Sequence, residues 1–313
     1  MPTLKKKIRR RTIPILSRLD NIVLPGASGA SIYQIGSTFF TGIKDIRLSE
    51  RAAAISFNFL TAIPPTLIFL FSLVPFLPLD SVQETILNSI RLLSPNPTLY
   101  EAAENLITDF MDTKRRELLS IGFLFTIFVS SNGVVGLLRS FDRVSPAFVA
   151  RTGLARRWKA IRLTLGLMLV FLISISLLIL QSNLLDKYLV NLVGSTVIIK
   201  IISWITLVFI IYITMCILYK YGPSLHYKFR FFSPGALVAT ISFLGVSYVF
   251  FFIAYHFINY NKVYGPIGTL LMLMIWMFIT GMVILIGYEL NLAIMIHNKP
   301  KLDEQNEKLE IAD

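Results

Sequence analysis

Long apolar segments separated by shorter polar ones dominate the chain from Ala52 onward. A helix needs roughly 20 apolar residues to cross a hydrocarbon core about 30 Å thick. Six runs reach or approach that length, at residues 52–77, 118–138, 162–182, 197–219, 234–257 and 266–296. They are rich in Leu, Ile and Phe and lack the roughly ten-residue alternation of a membrane β-barrel strand. The pattern predicts an all-α protein, a polytopic bundle of six transmembrane helices within residues 52–297.

The N-terminal segment, residues 1–51, is basic and carries one amphipathic stripe. Its apolar side chains recur at spacings of three and four, and they are Ile32, Ile35, Phe39, Ile43 and Ile46. A helix over residues 31–46 is therefore predicted, lying either on the inner membrane surface or against the core of the bundle. The basic cluster is not followed by the apolar core and cleavage site of a signal peptide, so the first span is expected to direct insertion.

Two polar segments complete the predicted organisation, the first outer loop at residues 78–117 and the C-terminal tail at residues 298–313. In the loop, Ser81 and Thr98 are each followed three residues later by a glutamate. This spacing is the capping-box pattern of a helix start, so two short amphipathic helices are predicted there. The tail is polar and is predicted to be disordered.

Composition supports a membrane protein and argues against a soluble one. The chain is 55% hydrophobic and only 15% charged, and its mean hydropathy is +0.68. A soluble domain of 313 residues cannot cover that much apolar side chain with so little polar surface. The single cysteine, Cys216, excludes a disulfide within the chain.

The positive charge predicts the orientation of the bundle. The net charge is +12, and 23 of the 30 Lys and Arg residues lie in segments that the six spans place on the same side of the membrane as the N-terminus. Short cytoplasmic loops carry such an excess of basic residues, so both termini are predicted to be cytoplasmic and the protein to lie in the inner membrane. A nucleic-acid partner is the alternative reading of the charge. Anchoring against anionic membrane lipids is favoured over it, so no nucleic acid is expected.

Two adjacent prolines stand in the middle of the first predicted span. Proline removes one donor and displaces the carbonyl four residues back, so Pro64 frees Leu60 and Pro65 frees Thr61. Asn58 and Thr61 are three residues apart and share a face. The pattern predicts a helix break whose free carbonyls and polar side chains point into the bundle, as in transporters. A simple packing kink is the alternative.

Further polar residues in or beside the spans join Asn58 and Thr61 in a hypothetical substrate site. These are Asn132, Arg139, Arg143, Tyr248 and Glu289. Most polar side chains in spans are interhelical hydrogen-bonding groups, but an ionisable side chain in a span marks a functional site by default. Glu289 is therefore either a functional acid or a structural partner of Arg139, Arg143 or Arg230.

Glycines in the last span predict close helix contacts. Gly281 and Gly287 allow neighbouring backbones to approach, and this packing role is favoured over a ligand role.

Four segments of the chain resemble the YihY/BrkB family of bacterial inner-membrane proteins. The resemblance rests on AAAISFNFLTAIPPTLIFLFSLVPF, SSNGVVGLLRSFDRV, LYKYGPSLHYKFRFFSPGAL and VYGPIGTLLMLMIWMFITGMVILIGYELNLAI. The family pattern is matched by Leu218 to Pro223, Pro234 to Leu237, Tyr264, Gly265, Gly268, Trp276 and Leu285 to Asn291. Ser224 stands where the family often has asparagine, and Phe57-Asn58 replaces a tyrosine-rich pair.

The resemblance implies six transmembrane helices in the inner membrane, but it implies no settled activity. Members are described as virulence or serum-resistance factors, and many carry a ribonuclease label. A metal-dependent nuclease needs clustered His and carboxylate ligands, and the predicted topology separates the three histidines, His226, His256 and His297. No phosphate-binding glycine loop is present either. The chain is therefore predicted to be no enzyme and to hold no metal or cofactor.

Two functions from different classes remain. In the first, the protein is transporter-like and handles lipids or other amphiphiles through its polar interior, with Arg139 and Arg143 meeting an anionic headgroup. In the second, it is a membrane scaffold or envelope-integrity factor that does not transport. A continuous polar cavity between the spans would distinguish the first from the second.

Overall fold

Helices form almost all of the described structure. The computed structural model describes residues 31–45, 47–73, 104–105, 121–142, 148–184, 196–257 and 266–310. Its seven helices are α1 (Ile32–Asp45), α2 (Leu48–Leu73), α3 (Ile121–Phe141), α4 (Gly153–Leu184), α5 (Thr196–Tyr221), α6 (Pro234–Phe257) and α7 (Pro266–Glu310). The extended pairing within these ranges is one isolated bridge between Phe148 and Leu225. The all-α prediction is confirmed for this part of the chain, and the two predicted helices of the 78–117 loop lie outside it except for residues 104–105.

Four of the helices are long and apolar enough to cross a membrane. Their apolar segments are Gly153–Leu177, Ile201–Tyr221, Pro234–Ala254 and Leu270–His297. A shorter apolar segment, Phe125–Phe141, lies in α3. Only the described residues bear on this result, so the full set of six spans stays a prediction, as does the orientation of the termini.

The helices α2 to α7 form a closed ring. Each packs on the next in sequence, and α7 returns to pack on α2, while α1 lies against α7. The start of α2 meets the end of α3, where Arg51 Nη1 donates to the carbonyl of Ser140 at 2.8 Å. The end of α3 meets the start of α4, where Arg156 Nε lies 3.3 Å from Asp142 Oδ2. Successive helices are therefore antiparallel, and we call this end of the ring the junction end.

An aromatic cluster of Phe141, Tyr219, Phe229 and Tyr288 fills the ring at the junction end. The rings of Phe141 and Tyr288 lie 4.5 Å apart, and those of Phe229 and Tyr288 lie 5.9 Å apart. Tyr288 donates to the carbonyl of Phe141 at 3.1 Å, and Tyr219 donates to the carbonyl of Ile284 at 2.8 Å. Each buried phenol thus has a hydrogen-bond partner on another helix, as burial of a polar group requires.

Glycines hold α7 close to both of its ring neighbours, as predicted. A Cβ at Gly281 would lie 3.2 Å from the carbonyl oxygen of Ala52 in α2. A Cβ at Gly287 would lie 2.6 Å from the carbonyl oxygen of Gly235 in α6 and 2.5 Å from the hydroxyl of Tyr219. The absence of a side chain at residue 287 therefore sets the distance between α6 and α7.

The predicted helix break at the proline pair is wrong. The α2 helix continues from Leu48 to Leu73 with Pro64 and Pro65 inside it. Thr66 Oγ1 donates to the carbonyl of Ala62 at 2.6 Å, and Ala62 packs on Gly133 of α3. Two prolines remove only two backbone donors and already have a φ near the helical value. The remaining hydrogen bonds and the contact with α3 are sufficient to keep the helix continuous.

The prediction of a disordered tail is also wrong, because α7 continues to Glu310. The segment KLDEQNEKLE is rich in Lys, Leu, Glu and Gln, which are good helix formers, and it follows a long helix that has already nucleated. This segment therefore forms a helix although it has no apolar stripe.

Candidate functional site

A hydrogen-bonded network joins the loops at the junction end. Asp142 accepts from Ser224 Oγ at 2.7 Å on one carboxylate oxygen and from Arg156 Nε at 3.3 Å on the other. Arg151 donates to the carbonyls of Gly222 and Pro223 at 3.0 and 2.6 Å. Burial lowers the pKa of Arg151, an effect that the nearby Asp142 opposes. The network ties the end of α3, the start of α4 and the loop after α5 together.

A second polar contact fixes the start of α6 on α7. Asn291 Oδ1 accepts from the backbone N–H of Gly235 at 2.8 Å, and Asn291 Nδ2 donates to Ser233 Oγ at 2.9 Å. The first N–H groups of a helix lack intrahelical partners, so Asn291 caps α6 from another helix. These contacts give a structural role to two segments that match the family pattern, Pro234 to Leu237 and Leu285 to Asn291.

A polar groove lies between α1 and α7, outside the ring. Its volume is about 330 Å³, and its lining residues are Ser37, Thr38, Thr41, Gly42, Glu289, Leu292, Ala293 and Ile296. One wall is made of hydroxyl groups from α1, and the other has the Glu289 carboxyl among apolar side chains of α7. We call this cavity the α1–α7 groove.

The groove exists because α1 buries its apolar stripe on α7. Ile35 is only 2% exposed and packs with Ala293 and Ile294. The helix starts with a capping box, in which Ser31 Oγ accepts from the N–H of Gln34 at 3.2 Å and Gln34 Oε1 accepts from the N–H of Ser31 at 3.3 Å. With the apolar side against α7, the neighbouring hydroxyl face borders the groove.

Glu289 is the deepest charged side chain of the groove, at 3% exposure. Its Oε2 would lie 3.0 Å from a Cβ at Gly42, so the lack of a side chain there leaves room for the carboxyl. Glu289 interacts with its surroundings, so its carboxyl group is held in place within the fold. A pairing of Glu289 with Arg139 or Arg230 stays a prediction, and Arg143 lies outside the described residues.

His297 closes the groove at the far end of its α7 wall. Its Nε2 lies 3.0 Å from Thr38 Oγ1, close enough for a hydrogen bond between the two helices. Thr41 instead directs its hydroxyl to the carbonyl of Ser37 at 2.9 Å. The groove thus combines a carboxyl and three hydroxyls with an apolar floor, and the imidazole of His297 contacts one of these hydroxyls.

Asn58 and Thr61 do not belong to the groove. Asn58 donates to the carbonyl of Ala54 at 2.7 Å, and its side chain occupies the space beside Gly136, where a Cβ would lie 2.7 Å from it. Thr61 is exposed and donates to the carbonyl of Asn58 at 3.0 Å. Both residues satisfy backbone carbonyls of their own helix.

The remaining predicted site residues lie in different places. Asn132 faces α4 and accepts from Arg157 Nη1 at 2.7 Å, and Arg139 is exposed on the same helix, α3. Pro64 is exposed on α2, and its neighbour in the proline pair is half-buried. Tyr248 is 74% exposed on α6, so its placement in a polar interior is wrong. The structure thus does not gather the predicted set into one site.

Two features of the structure were not predicted from the sequence. The hydroxyls of α1 at Ser37, Thr38 and Thr41 recur at helical spacing and form one wall of the groove; this spacing was the available signal. Arg157 was counted only as part of the basic topology signal, although it forms the contact with Asn132. In the sequence it resembles any other basic residue near a span.

Within the described residues, no group of three or more His, Cys, Asp and Glu side chains comes together that could hold a metal ion. His226 is exposed, His297 contacts Thr38, and Cys216 is a buried free thiol. The prediction that the chain is no enzyme stays a prediction.

An all-α ring with long apolar helices defines a polytopic integral membrane protein. The chain belongs to the virulence factor BrkB family, whose profile matches residues 39–311. This membership confirms the resemblance found in the sequence.

Among the relatives of the chain, two are named as membrane proteins and one as a ribonuclease-like protein. The chain is 28% identical over 261 residues to a ribonuclease-like protein of Bacillus subtilis, YfkH, covering 82% of this chain and 93% of that protein. It is 22% identical over 286 residues to a UPF0761 membrane protein of Haemophilus influenzae, covering 90% and 99%. It is 23% identical over 207 residues to a UPF0761 membrane protein of Idiomarina loihiensis, covering 63% and 68%. No solved structure matches the chain.

Proposed function

We propose that this protein is a transporter-like protein of the bacterial inner membrane that handles amphiphiles by binding their headgroups in the α1–α7 groove. The observation that carries the proposal is the groove itself, a cavity of about 330 Å³ lined by both polar and apolar residues, on the flank of an apolar helix. Ligand sites are concave, largely apolar and equipped with a few converging polar groups. The groove has this composition.

The chemistry of the groove favours a zwitterionic headgroup that carries an amine. Glu289 is an acceptor at the base, and the hydroxyls of Ser37, Thr38 and Thr41 both donate and accept hydrogen bonds. An ammonium group is suited to the carboxyl side, and a phosphate is suited to the hydroxyl side. The apolar floor of Leu292 and Ala293 then meets the first carbon atoms of the acyl chains.

The groove rather than the ring centre is the proposed route, because the aromatic cluster fills the ring at the junction end. An amphiphile that moves along the outer face of α7 keeps its chains in the bilayer while its headgroup stays in the groove. Such a path requires no wide aqueous pore. The same aromatic cluster favours the second candidate function, a membrane scaffold that binds lipids without moving them.

The orientation forms part of the proposal. The bias of basic residues supports a cytoplasmic position for the junction end, with Arg51, Arg151 and Arg156. The groove then faces the cytoplasmic leaflet, and both termini lie in the cytoplasm.

The experiment compares the purified full-length protein with two glycine variants in proteoliposomes. In Gly42→Leu, the new side chain fills the groove next to Glu289. In Gly36→Leu on the same helix, a Cβ meets nothing within 4 Å, so this variant is the matched control. Acyl-labelled amine-bearing and anionic phospholipids are loaded into the outer leaflet, and their exchange between leaflets is measured.

Two results distinguish the candidates. Exchange of the amine-bearing lipid by the wild type and by Gly36→Leu, reduced about ten-fold or more in Gly42→Leu, supports the proposal. Exchange that equals empty liposomes in all three proteins, each shown to be folded by its thermal unfolding profile, rejects transport and leaves the scaffold function.

A further inference from the structure

Arg157 makes an unusual set of contacts on the face between α3 and α4. Its Nη1 donates to Asn132 Oδ1 at 2.7 Å, and its Nη2 donates to the carbonyl of Phe128 at 2.9 Å. The guanidinium carbon lies 3.6 Å above the ring of Phe128. Three contacts of this kind fix the orientation of a long flexible side chain, which otherwise costs roughly 2 kcal/mol of rotamer entropy.

The side chain points away from the junction end. Its neighbour Arg156 pairs with Asp142, just beyond the last residue of α3. Arg157 instead reaches Phe128, which precedes Asp142 by 14 residues, a rise of about 20 Å at 1.5 Å per residue. An arginine near the end of a span normally extends its charge toward the interface. Arg157 therefore carries its charge toward the bilayer interior.

No acidic side chain of the described residues pairs with this charge. Both hydrogen-bond acceptors of Arg157 are neutral, and its Nε is buried without a hydrogen-bond partner. Among the described residues, a second cation, Arg139, acts electrostatically on Arg157 and repels it. A buried or half-buried charge normally has a counter-charge, and within the described residues the Arg157 guanidinium has none.

The site is open toward the lipid phase. Phe128, Asn132 and Arg139 follow one stripe of α3, because spacings of four and seven residues return to the same helix face. Arg139 is exposed, and the rings of Phe125 and Phe128 on α3 and of Trp158 on α4 are exposed as well. Charged groups next to exposed apolar rings match a ligand that has an anionic head and apolar chains.

We propose that Arg139 and Arg157 bind the phosphate of an anionic phospholipid on the outer face of α3 and α4. The phosphate oxygens accept from Arg139 and from the remaining N–H groups of Arg157, and the acyl chains pack on Phe125 and Trp158. Basic sites beside transmembrane helices bind anionic headgroups in this way. The site is separate from the α1–α7 groove and does not depend on the function proposed for it.

Lipid selectivity of the intact protein tests the proposal. The detergent-solubilised full-length chain is mixed with equal amounts of phosphatidylglycerol and phosphatidylcholine, and the lipids that stay bound are counted by native mass spectrometry. The variants are Arg139→Gln, Arg157→Gln and, as a matched loss of one positive charge, Arg230→Gln. Arg230 is exposed in the loop before α6.

We expect the wild type and Arg230→Gln to prefer the anionic lipid. Each arginine near the headgroups contributes about a five-fold preference, so Arg139→Gln and Arg157→Gln should each reduce the preference by about that factor. The exposed side chain of Arg139 is not part of the packed core, so its variant remains informative if Arg157→Gln fails to fold. An unchanged preference in a folded Arg139→Gln protein would overturn the proposal.

Two further measurements distinguish this lipid site from a site for free phosphate and from the α1–α7 groove. If millimolar inorganic phosphate displaces the anionic lipid completely, the site is one for free phosphate and the lipid assignment is wrong. Gly42→Leu, which fills the groove, should leave the preference intact. Loss of the preference in that variant would mean that the anionic lipid binds in the groove, and the proposal would again be overturned.

Discussion

At the scale of single residues, small side chains and buried polar groups decide how the helices fit together. Gly235 and Gly287 allow α6 and α7 to touch through their backbones, and Asn291 uses the resulting closeness to cap α6. Sequence reasoning identified Gly287 as a packing residue but assigned no partner to it. The partner depends on which helices are neighbours in the ring. The residues around Gly287 in the sequence do not indicate which helix that is.

The first prediction concerns Gly287→Ala. The new Cβ would lie 2.5 Å from the hydroxyl of Tyr219 and 2.7 Å from the Cβ of Ala239, so α6 and α7 must separate. We expect a loss of about 2–3 kcal/mol in the free energy of unfolding, as is typical of overpacking, measured as a lower Tm in detergent. Gly245→Ala in α6 is the control, because a Cβ there meets nothing within 4 Å. Equal Tm values for the two variants would contradict the close contact.

At the scale of elements, the hydrophobic pattern predicted where the long helices lie, but it did not predict the continuity of α2 or the contact between α1 and α7. Runs of about 20 apolar residues located the cores of α4 to α7, since length and apolarity are properties of the local sequence. The proline pair suggested a break, yet α2 continues, because contacts with α3 outweigh two lost hydrogen bonds. The groove was missed, since it is formed by two helices that are far apart in sequence.

The docking of α1 on α7 carries the second prediction. Ile35→Ala should cost about 3 kcal/mol, because Ile35 is the buried anchor of this contact. Since α1 packs mainly on α7, we expect faster hydrogen exchange in residues 31–45, by roughly a hundred-fold, with little change in α2 to α7. Phe40→Ala is the control, since Phe40 is 64% exposed. Uniformly faster exchange throughout the bundle would show instead that α1 is part of one cooperative unit.

At the scale of the whole molecule, a few polar links at the junction end hold the ring closed. Asp142 directly follows α3 and connects the end of that helix to Arg156 of α4 and to Ser224 of the loop after α5. The sequence contains all three residues near predicted spans, but nothing in their spacing indicates that they meet. Their meeting is a consequence of the ring topology.

The third prediction is that Asp142→Ala destabilises the entire bundle. Arg156 and Ser224 would lose their acceptor in a half-buried setting, which costs about 2–3 kcal/mol for a charge-assisted network. The measurement is thermal unfolding in detergent. Glu50→Ala is the matched control, because its pair with Arg47 at 3.4 Å is largely exposed and such pairs contribute at most about 1 kcal/mol. A similar small effect of both variants would mean that the junction network adds little to stability.

The length of α7 has a mechanical consequence. Its 45 residues amount to about 68 Å at 1.5 Å per residue, which exceeds the roughly 40–45 Å of a whole bilayer. The part after His297 therefore extends the span by about 20 Å, and Pro300 removes the backbone donor that would bind the carbonyl of Ile296, at the rim of the groove. The missing hydrogen bond makes α7 easiest to bend next to the α1–α7 groove. A force on the segment after His297 therefore bends the helix where Ile296 lines the groove and His297 contacts Thr38.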